Sequence, residues 1–438
     1  MSVFETNITD MKRLEEFPNR KQIVVIGGGF AGLSFAKRLL RNRFYEVTLI
    51  DKNNFNYFTP LLYQVATGFL EPSNISYPFR KIFRNSKVNF RIGEVTAVDT
   101  QRKVVHLGDD QISYDHLIFA AGAKANFFNN QSVLANAISL KGMEDALFMR
   151  NELMRTMEKA TTEKDPKERL KLLTIVVAGG GPTGVEVAGM LAEMKKFIIK
   201  KDYPELAQAN GRIYIVDGNS VLLAPMSEKT HQEAYDALYS LGVRIKLNTH
   251  VKSYENGIVT FSDGKVIEAG TLIWCAGVTA HIFNGIPQSS LGIGNRMHTD
   301  AFSKVIGLED VYAIGDIAVQ YTDSDYLKGH PQLAQPAIQQ GKALARNLLR
   351  MAKGKKLIPF KYFDRGDMAI IGRNQAVADL FKHKFHLSGF LGLFSWLFIH
   401  LISLVNYNNK LKTLYSWIVA YLTKDQALRM IFFSKEKH

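Results

Sequence analysis

Cysteine is nearly absent from the chain: Cys275 is the only one in 438 residues. A lone thiol excludes an intramolecular disulfide, a CxxC redox pair, a Cys-rich zinc site and a cysteine-ligated iron–sulfur cluster. Any electron carrier working in this chain must therefore be organic. Residues 1–20 lack a continuous apolar stretch and mix acids with bases, unlike a secretory signal or an Arg-rich, acid-poor presequence, so residence on the cytosolic side is expected. Asp, Glu, Lys and Arg are all missing from Phe385 to Asn409. Elsewhere charge is plentiful, with 55 Lys or Arg against 41 Asp or Glu and a net charge of +14. That excess fits nucleic acid, an anionic membrane or an acidic substrate until its location is known. A hydrophobic fraction of 46% over this length suffices for two or three domains with sizeable cores.

What is present is a pattern written twice. "QIVVIGGGFAGLSFAKRLL", from Gln22, reads as strand, tight turn and helix, with Gly27, Gly29 and Gly32 in G-x-G-x-x-G spacing. The next strand, "YEVTLID", ends at Asp51, where a dinucleotide fold places the acid that holds a ribose hydroxyl. From residue 172, "LLTIVVAGGGPTGVEVAGMLAEM" repeats the arrangement with Gly179, Gly181 and Gly184, and "RIYIVDG" ends at Asp217. Glycines let the backbone approach a pyrophosphate, and the helix N-terminus offers free N–H groups and partial positive charge. Carboxylates at 51 and 217 would accept from ribose hydroxyls and repel a 2′-phosphate, which favours NADH over NADPH. One such turn is a common feature; two in strand–turn–helix context, each followed by a strand ending in Asp, specify two nucleotide sites.

Two further segments are duplicated: "YDHLIFAAGA" (114–123) and "AGTLIWCAGV" (269–278) are buried strands ending in Ala-Gly. Ala120 to Gly122 and Ala276–Gly277 would let the chain pass close to a nucleotide or cross between domains. Cys275, within the second, reads as a structural thiol.

With "DVYAIGDIA" (310–318) following, the pattern resembles the two-dinucleotide-binding flavoprotein reductases, which implies FAD in the first site and NADH in the second. "FTPLLYQVATGFLEP" (58–72), "GGGPTGVEVAGMLAE" (179–193), "AQPAIQQG" (334–341) and the oily C-terminus resemble the type II NADH:quinone oxidoreductases. The resemblance assigns Gly27, Gly29, Gly32, Asp51, Lys52, Gly122, Gly315 and Asp316 to FAD. It assigns Gly179, Gly181, Gly184, Glu186, Asp217, Ala276 and Gly277 to NADH. One departure is Phe55 and Asn56 in "DKNNFNYF", where relatives often carry histidine. Disulfide reductases, peroxide-reducing flavoenzymes and sulfide:quinone oxidoreductases share the pattern but need active cysteines.

Glu186 ends the second glycine motif. A carboxylate in a first helical turn is favoured by the helix dipole alone, yet its flanks in "TGVEVAGM" are apolar or small and argue for burial. The resemblance places it near the two rings, where it would position NADH and take part in proton movement. In "LAQPAIQQGKALARNLL", Pro336 suits a first helical turn, and Gln335 and Gln339, four apart, face the same way. Such a pair is commonly a polar helix surface; the resemblance places it at the quinone pocket.

The apolar segment "LSGFLGLFSWLFIHLISLV" is long enough to be a membrane-span candidate. Ser388, Gly392, Ser395, Ser403 and Asn406 nonetheless draw a small-polar stripe, interrupted at Ile399 and His400, and favour a helix lying in the interface or packed on the protein body. Lys382, Lys384, Lys410 and Lys412 bracket it, and from Arg373 onward nine Lys or Arg face three acids. With Trp396, Tyr407, Tyr415 and Trp417 this composition points to anionic lipid and not to nucleic acid. His400 reads as a packing residue, and no metal site is expected.

The expectation is an α/β protein with two Rossmann-like dinucleotide-binding domains: 20–140 with 285–350 for FAD, 141–284 for NADH, and a C-terminal membrane-associating helical region at 351–438. It would pass electrons from NADH through FAD to a membrane quinone, menaquinone or ubiquinone, at the cytoplasmic face of the cell membrane, as a peripheral protein and possible homodimer. With no membrane-spanning bundle it could not pump protons. The alternatives are a flavin reductase of the same fold with a soluble acceptor, and a non-catalytic membrane-bound nucleotide sensor.

Overall fold

A strand sandwiched between helix layers must be apolar on both faces, and Lys21–Ile26 (β1) obeys: its last four residues are all buried. In the computed structural model, which describes residues 20–206, 209, 211–423 and 430–431, β1 leads through the glycine turn into α1 (Phe30–Arg38). It pairs in parallel with β2 (Tyr45–Asp51) on one side and with β4 (His116–Phe119) on the other; β3 (Val88–Ile92) extends the sheet beyond β2.

The second fold copies this plan. β5 (Ile138–Ser139), β6 (Ile175–Ala178), β7 (Ile213–Val216), β8 (Arg244–Lys246) and β9 (Thr271–Trp274) form a parallel sheet in the order β5-β9-β6-β7-β8. α2 (Pro182–Met194) follows β6, and α3 (Glu228–Ser240) precedes β8. β10 (Val311–Ala313) then completes the first sheet as β10-β4-β1-β2-β3. Each sheet therefore has its glycine-turn strand in the middle and, beside it, the strand that ends at Asp51 or leads directly into Asp217. Separate cores support them: Val24, Ile26, Leu117, Phe119 and Val311 under the first, and Val176, Val216, Leu272, Trp274 and Phe261 under the second.

The remaining chain forms α4 (Ala334–Met351), an antiparallel sheet of β11 (Gly366–Ile371), β12 (Gln375–Leu380) and β13 (Phe385–Leu387), and then α5 (Gly389–Ser403) and α6 (Tyr407–Thr423). The molecule divides into two compact units. One runs from the start of the described residues to Asn56 and continues with Pro78–Ala123 and Thr279–Phe363; the other holds Tyr57–Tyr77, Lys124–Val278 and Asp364 onward. The expected division differs from this in several places. Residues 57–77, 124–140 and the C-terminal region from Asp364 group with the second nucleotide fold, and 279–284 and 351–363 with the first. Residues 57–77 and the C-terminal region do so because they pack on the helix Met143–Thr162, α2, α3 and each other.

Those contacts explain the C-terminal pattern. α5 turns Gly392, Leu393 and Trp396 inward, and a Cβ at Gly392 would fall 2.3 Å from the Ala376 carbonyl oxygen of β12. Ser403 is exposed, so the inward stripe is Gly392, Trp396 and His400, one turn apart, and not the full small-polar series expected from the sequence. α6 buries Asn409, Thr413 and Trp417 at the same spacing. The Asn409 amide donates to the carbonyls of Ser73, Asn74 and Ser76, and the Trp417 indole donates to Gln64 Oε1 at 2.8 Å.

Among the described residues no helix is long and apolar enough to cross a membrane. The uncharged segment is broken into β13, α5 and the start of α6, and the 15 residues of α5 span only about 22 Å at ~1.5 Å per residue. The sequence expectations for residues 1–19 and for the charges at 424, 425, 429, 435, 436 and 437 lie outside the described residues.

Candidate active site

The first glycine turn is closed on one side and open on the other. Gly27 adopts φ +101°, and a Cβ there would lie 2.5 Å from the Ala120 carbonyl oxygen; at Gly32 it would lie 1.9 Å from that of Gly27. At Gly29, which caps α1, a Cβ would meet nothing within 4 Å. This division matches what a bound pyrophosphate requires: tight packing of strand, turn and helix behind, and an unobstructed approach in front. Asp51 accepts from Gly28 N at 2.7 Å and from Asn53 N at 2.8 Å. Burial pushes its pKa up, opposed by those same N–H groups. A carboxylate has about four lone-pair sites, so pinning the turn leaves capacity for a ribose hydroxyl. The Asn56 amide, at the position that departs from the family pattern, donates to the Gly28 carbonyl at 2.8 Å and braces the turn from behind.

Gly315, at φ +77°, lies at the start of α1: a Cβ would meet Ala31 Cβ at 3.0 Å. Its N–H donates to Gln340 Oε1 at 2.6 Å. Asp316 is half-buried, with the guanidinium of the buried Arg296 within electrostatic reach. Gly122 has φ +70° and open space where a Cβ would point, while Lys52 is exposed at the end of β2. Of the α4 glutamines, Gln335 is half-buried in the first turn. Gln339 clamps Phe363 by donating to its carbonyl (2.9 Å) and accepting its N–H (3.0 Å). Gln340, which spacing did not single out, is the one that reaches Gly315; a register argument on one helix face could not find it, because its partner is twenty-five residues away.

In the second unit Gly179 (φ +114°) is backed by the Cys275 backbone 2.7 Å from where its Cβ would be, Gly184 by Gly179 O at 1.8 Å, and Gly181, capping α2, by nothing within 4 Å. Asp217 accepts from the N–H groups of Gly180 and Asn219. A cleft of about 300 Å³ opens here, lined among others by Gly179, Asp217, Ala276, Trp274 and His250. Gly277, at φ +80°, adjoins it and accepts from Asn126 N. The residues fit a dinucleotide at both turns.

Glu186 is absent from the lining of that cleft. It is the fifth residue of α2, beyond the first turn, and 8% exposed. α2 approaches β11 closely because Gly189 has no side chain: a Cβ there would lie 2.6 Å from Gly372 N. Against this wall the Glu186 carboxyl receives only a long contact from Ile370 N (3.5 Å), and the fully buried Trp396 indole N–H faces it without closing a well-aligned hydrogen bond. Burial therefore dominates and pushes its pKa up to about 8. At neutral pH the group is mainly a neutral acid, which removes the helix-dipole reading.

Around it stand groups the sequence did not advertise. Tyr63 is buried and pushed well above its ordinary value by burial and then by the Glu186 charge; it accepts from Gln64 Nε2 at 2.9 Å. Trp417 holds the other end of Gln64. His400 stacks on Trp396 at 3.8 Å and donates from Nδ1 to the Trp396 carbonyl at 2.8 Å; burial drives its pKa down to about 4, so it packs as a neutral ring. With Glu186 and Ile370 these residues meet from five segments, and no local spacing signals the meeting.

Burial pushes the Cys275 thiol up to about 12. It stays protonated near neutrality and unfit as a nucleophile. Native protein should therefore resist alkylation by iodoacetamide at pH 8, whereas unfolded protein labels at one site per chain; rapid native labelling with loss of activity would contradict this.

The family model for "Pyridine nucleotide-disulphide oxidoreductase" matches residues 21–341. The type II NADH:quinone oxidoreductase Ndh of Mycobacterium tuberculosis is 36% identical, with 93% of this chain and 89% of that protein covered. The solved structure of NDH2 from Plasmodium falciparum in complex with NADH superposes with a TM-score of 0.86 at 22% identity, covering 95% of this chain and all of that one. A sulfide:quinone oxidoreductase from Aquifex aeolicus shares the fold (TM-score 0.70, 16% identity, 92% and 96% covered), but a single protonated thiol cannot run a cysteine-pair cycle. Twin glycine cradles, the shared sequence over nearly the whole chain and the missing second cysteine converge: the chain belongs to the type II NADH:quinone oxidoreductases, within the pyridine nucleotide-disulphide oxidoreductase family.

Proposed function

We propose that this protein oxidises NADH and reduces a membrane quinone, with FAD at the first glycine turn and NADH at the second, without pumping protons. The observation that carries this reading is the pair of parallel sheets sharing the order of four strands, β4-β1-β2-β3 and β9-β6-β7-β8, each with a glycine turn open only toward its front, in a chain with no second thiol. Bound FAD supplies a two-electron acceptor for the NADH hydride and a two-electron donor for the quinone. The net reaction is NADH + H⁺ + quinone → NAD⁺ + quinol, so one proton must come from the protein or solvent.

The chain's own part is positioning and proton supply. Gly29 and Gly181 leave room for phosphates, and Asp51 and Asp217 fix the turns and face ribose hydroxyls. Lys52, Gly122, Gly315 and Asp316 complete the flavin side, and Ala276 and Gly277 the nicotinamide side. Glu186, with a pKa of about 8, holds a proton at physiological pH and gives it up with little driving force, as a general acid near its operating pH should. Gln335 offers its amide at the start of α4 to a quinone carbonyl. Gln339, anchored on Phe363, retains one N–H for the same purpose.

The outer faces of α5 and α6 expose Phe390, Leu391, Phe394, Phe398, Ile402, Leu411, Tyr415, Ile418 and Leu422. An apolar face this continuous marks an interaction surface. With Lys382, Lys384, Lys410 and Lys412 beside it, the occupant proposed is the anionic cytoplasmic face of the cell membrane, where the quinone also resides. Flotation with phosphatidylglycerol vesicles, weakened by high salt, supports this; a salt-resistant dimer that does not float would assign the surface to a second copy.

The deciding experiment is anaerobic. Stoichiometric NADH should bleach the flavin absorbance, and a menaquinone or ubiquinone analogue should restore it rapidly. Bleaching without recovery would redirect the search to a soluble acceptor, and nucleotide binding without bleaching would mean a sensor.

A further inference from the structure

The cleft beside Asp217 has an unusual wall. Phe128 lines it while 64% exposed, and its backbone is left-handed (φ 49°), as is that of Asn129 (φ 60°). A bulky side chain in this region carries about 1 kcal/mol or more of strain, and here burial of the ring does not offset it. The surroundings hold the strained turn in place. Asn126 Oδ1 accepts from Phe128 N at 2.9 Å, the Trp274 indole donates to the Asn126 carbonyl at 2.8 Å, and Asn130 N closes on the Phe127 carbonyl at 2.9 Å. The ring itself rests edge-on to Trp274 (6.5 Å, 65°) and over Gly277, where any Cβ would come within 2.7 Å of Phe128 Cζ. An aromatic ring is thus aimed outward, fixed and only partly covered.

We infer that Phe128 is the stacking platform for the adenine of NADH and sets the enzyme's preference for the full dinucleotide. This rests on the assignment of NADH to the second glycine turn. Within a dinucleotide fold the acid ending the second strand marks the adenosine half, and this cleft runs from Asp217 to the Thr249–Val251 turn beyond β8. His250 covers Gly218, where a Cβ would fall 2.0 Å from its ring, and closes the floor. What enters is therefore a flat base, and the partly exposed ring on the rim offers it a π face.

The test uses the full-length flavoprotein with Phe128→Ala and Phe128→Trp. NADH is compared with reduced nicotinamide mononucleotide, which lacks the adenosine, and ADP-ribose is titrated as a competitor. Loss of one stacked base should raise the NADH KM and the ADP-ribose Ki of Phe128→Ala together by roughly tenfold. kcat should hold within about twofold. The mononucleotide's kcat/KM should not change, and tryptophan should restore both constants. An unmoved NADH KM, or an equal loss with the mononucleotide, would overturn the platform while leaving the NADH site in place. Failure of ADP-ribose to compete in the unmodified enzyme would instead overturn the site assignment itself.

Discussion

Glu186→Gln should stabilise the protein above neutral pH while it slows quinone reduction. Burial raises the folded-state pKa from 4.5 to about 8, so the unfolded chain releases this proton long before the folded one does. Below pH 4.5 the group is neutral in both states and contributes nothing to the difference. Between 4.5 and 8 ionisation favours the unfolded chain, and stability falls as pH rises. Glutamine keeps the shape and removes the titration, so the gain should be absent at pH 4, about 3 kcal/mol at pH 7 and at most ~5 kcal/mol above pH 8. Melting temperatures across that range read it directly. The same substitution removes the proton, and loss of a general acid costs roughly 10²–10⁴ in rate. Quinone turnover should drop and lose its inflection near pH 8. Stabilisation with an unaltered pH–rate profile would mean the carboxyl is buried for packing alone.

Two neighbouring glycines should respond in different ways. At Gly184 a methyl group would stand 1.8 Å from the Gly179 carbonyl oxygen, a backbone atom that cannot rotate aside. Gly184→Ala should cost several kcal/mol, on the order of the largest overpacking penalties, and appear as a lost or aggregated second unit. Gly181 has φ −75° and open space ahead. Alanine fits there, and its smaller unfolded-state entropy is offset by its poorer N-capping, so stability should change by less than about 1 kcal/mol. Its methyl would occupy the approach to the pyrophosphate, so the NADH KM should rise tenfold or more by order of magnitude, with flavin content intact. An unchanged KM in Gly181→Ala would show that phosphate does not pass over this turn.

The glycine turns and their acids were legible because each is a local pattern: a few residues set the turn, and the next strand must end where β2 and β7 end. Cys275 was legible through number alone. The surroundings of Glu186 were not, since Tyr63, Ile370 and Trp396 come from segments far apart in the chain and each looks like ordinary core. Spacing correctly placed Gln335 and Gln339 on one face of α4 but gave no sign of Gln340 at Gly315. In the C-terminal helices the lack of charge was plain, but which stripe turns inward depended on Gly392 meeting Ala376, a contact across a sheet. The unit boundaries were hidden for the same reason: residues 57–77 look like part of the first fold in sequence, and their partners are Thr413, Ser416 and Trp417.

That last pairing has a consequence for synthesis. Gln64 and Asn74 leave the ribosome more than three hundred residues before the α6 side chains that satisfy them. Domains usually fold in order as they emerge, but here the second unit lacks its final walls until α5 and α6 are released, and Glu186 stays open to water until Trp396 of α5 arrives. A nascent chain stalled before residue 389 should present a finished first nucleotide fold beside an unfinished second one, making this late interval the stage at which chaperone capture or aggregation is decided.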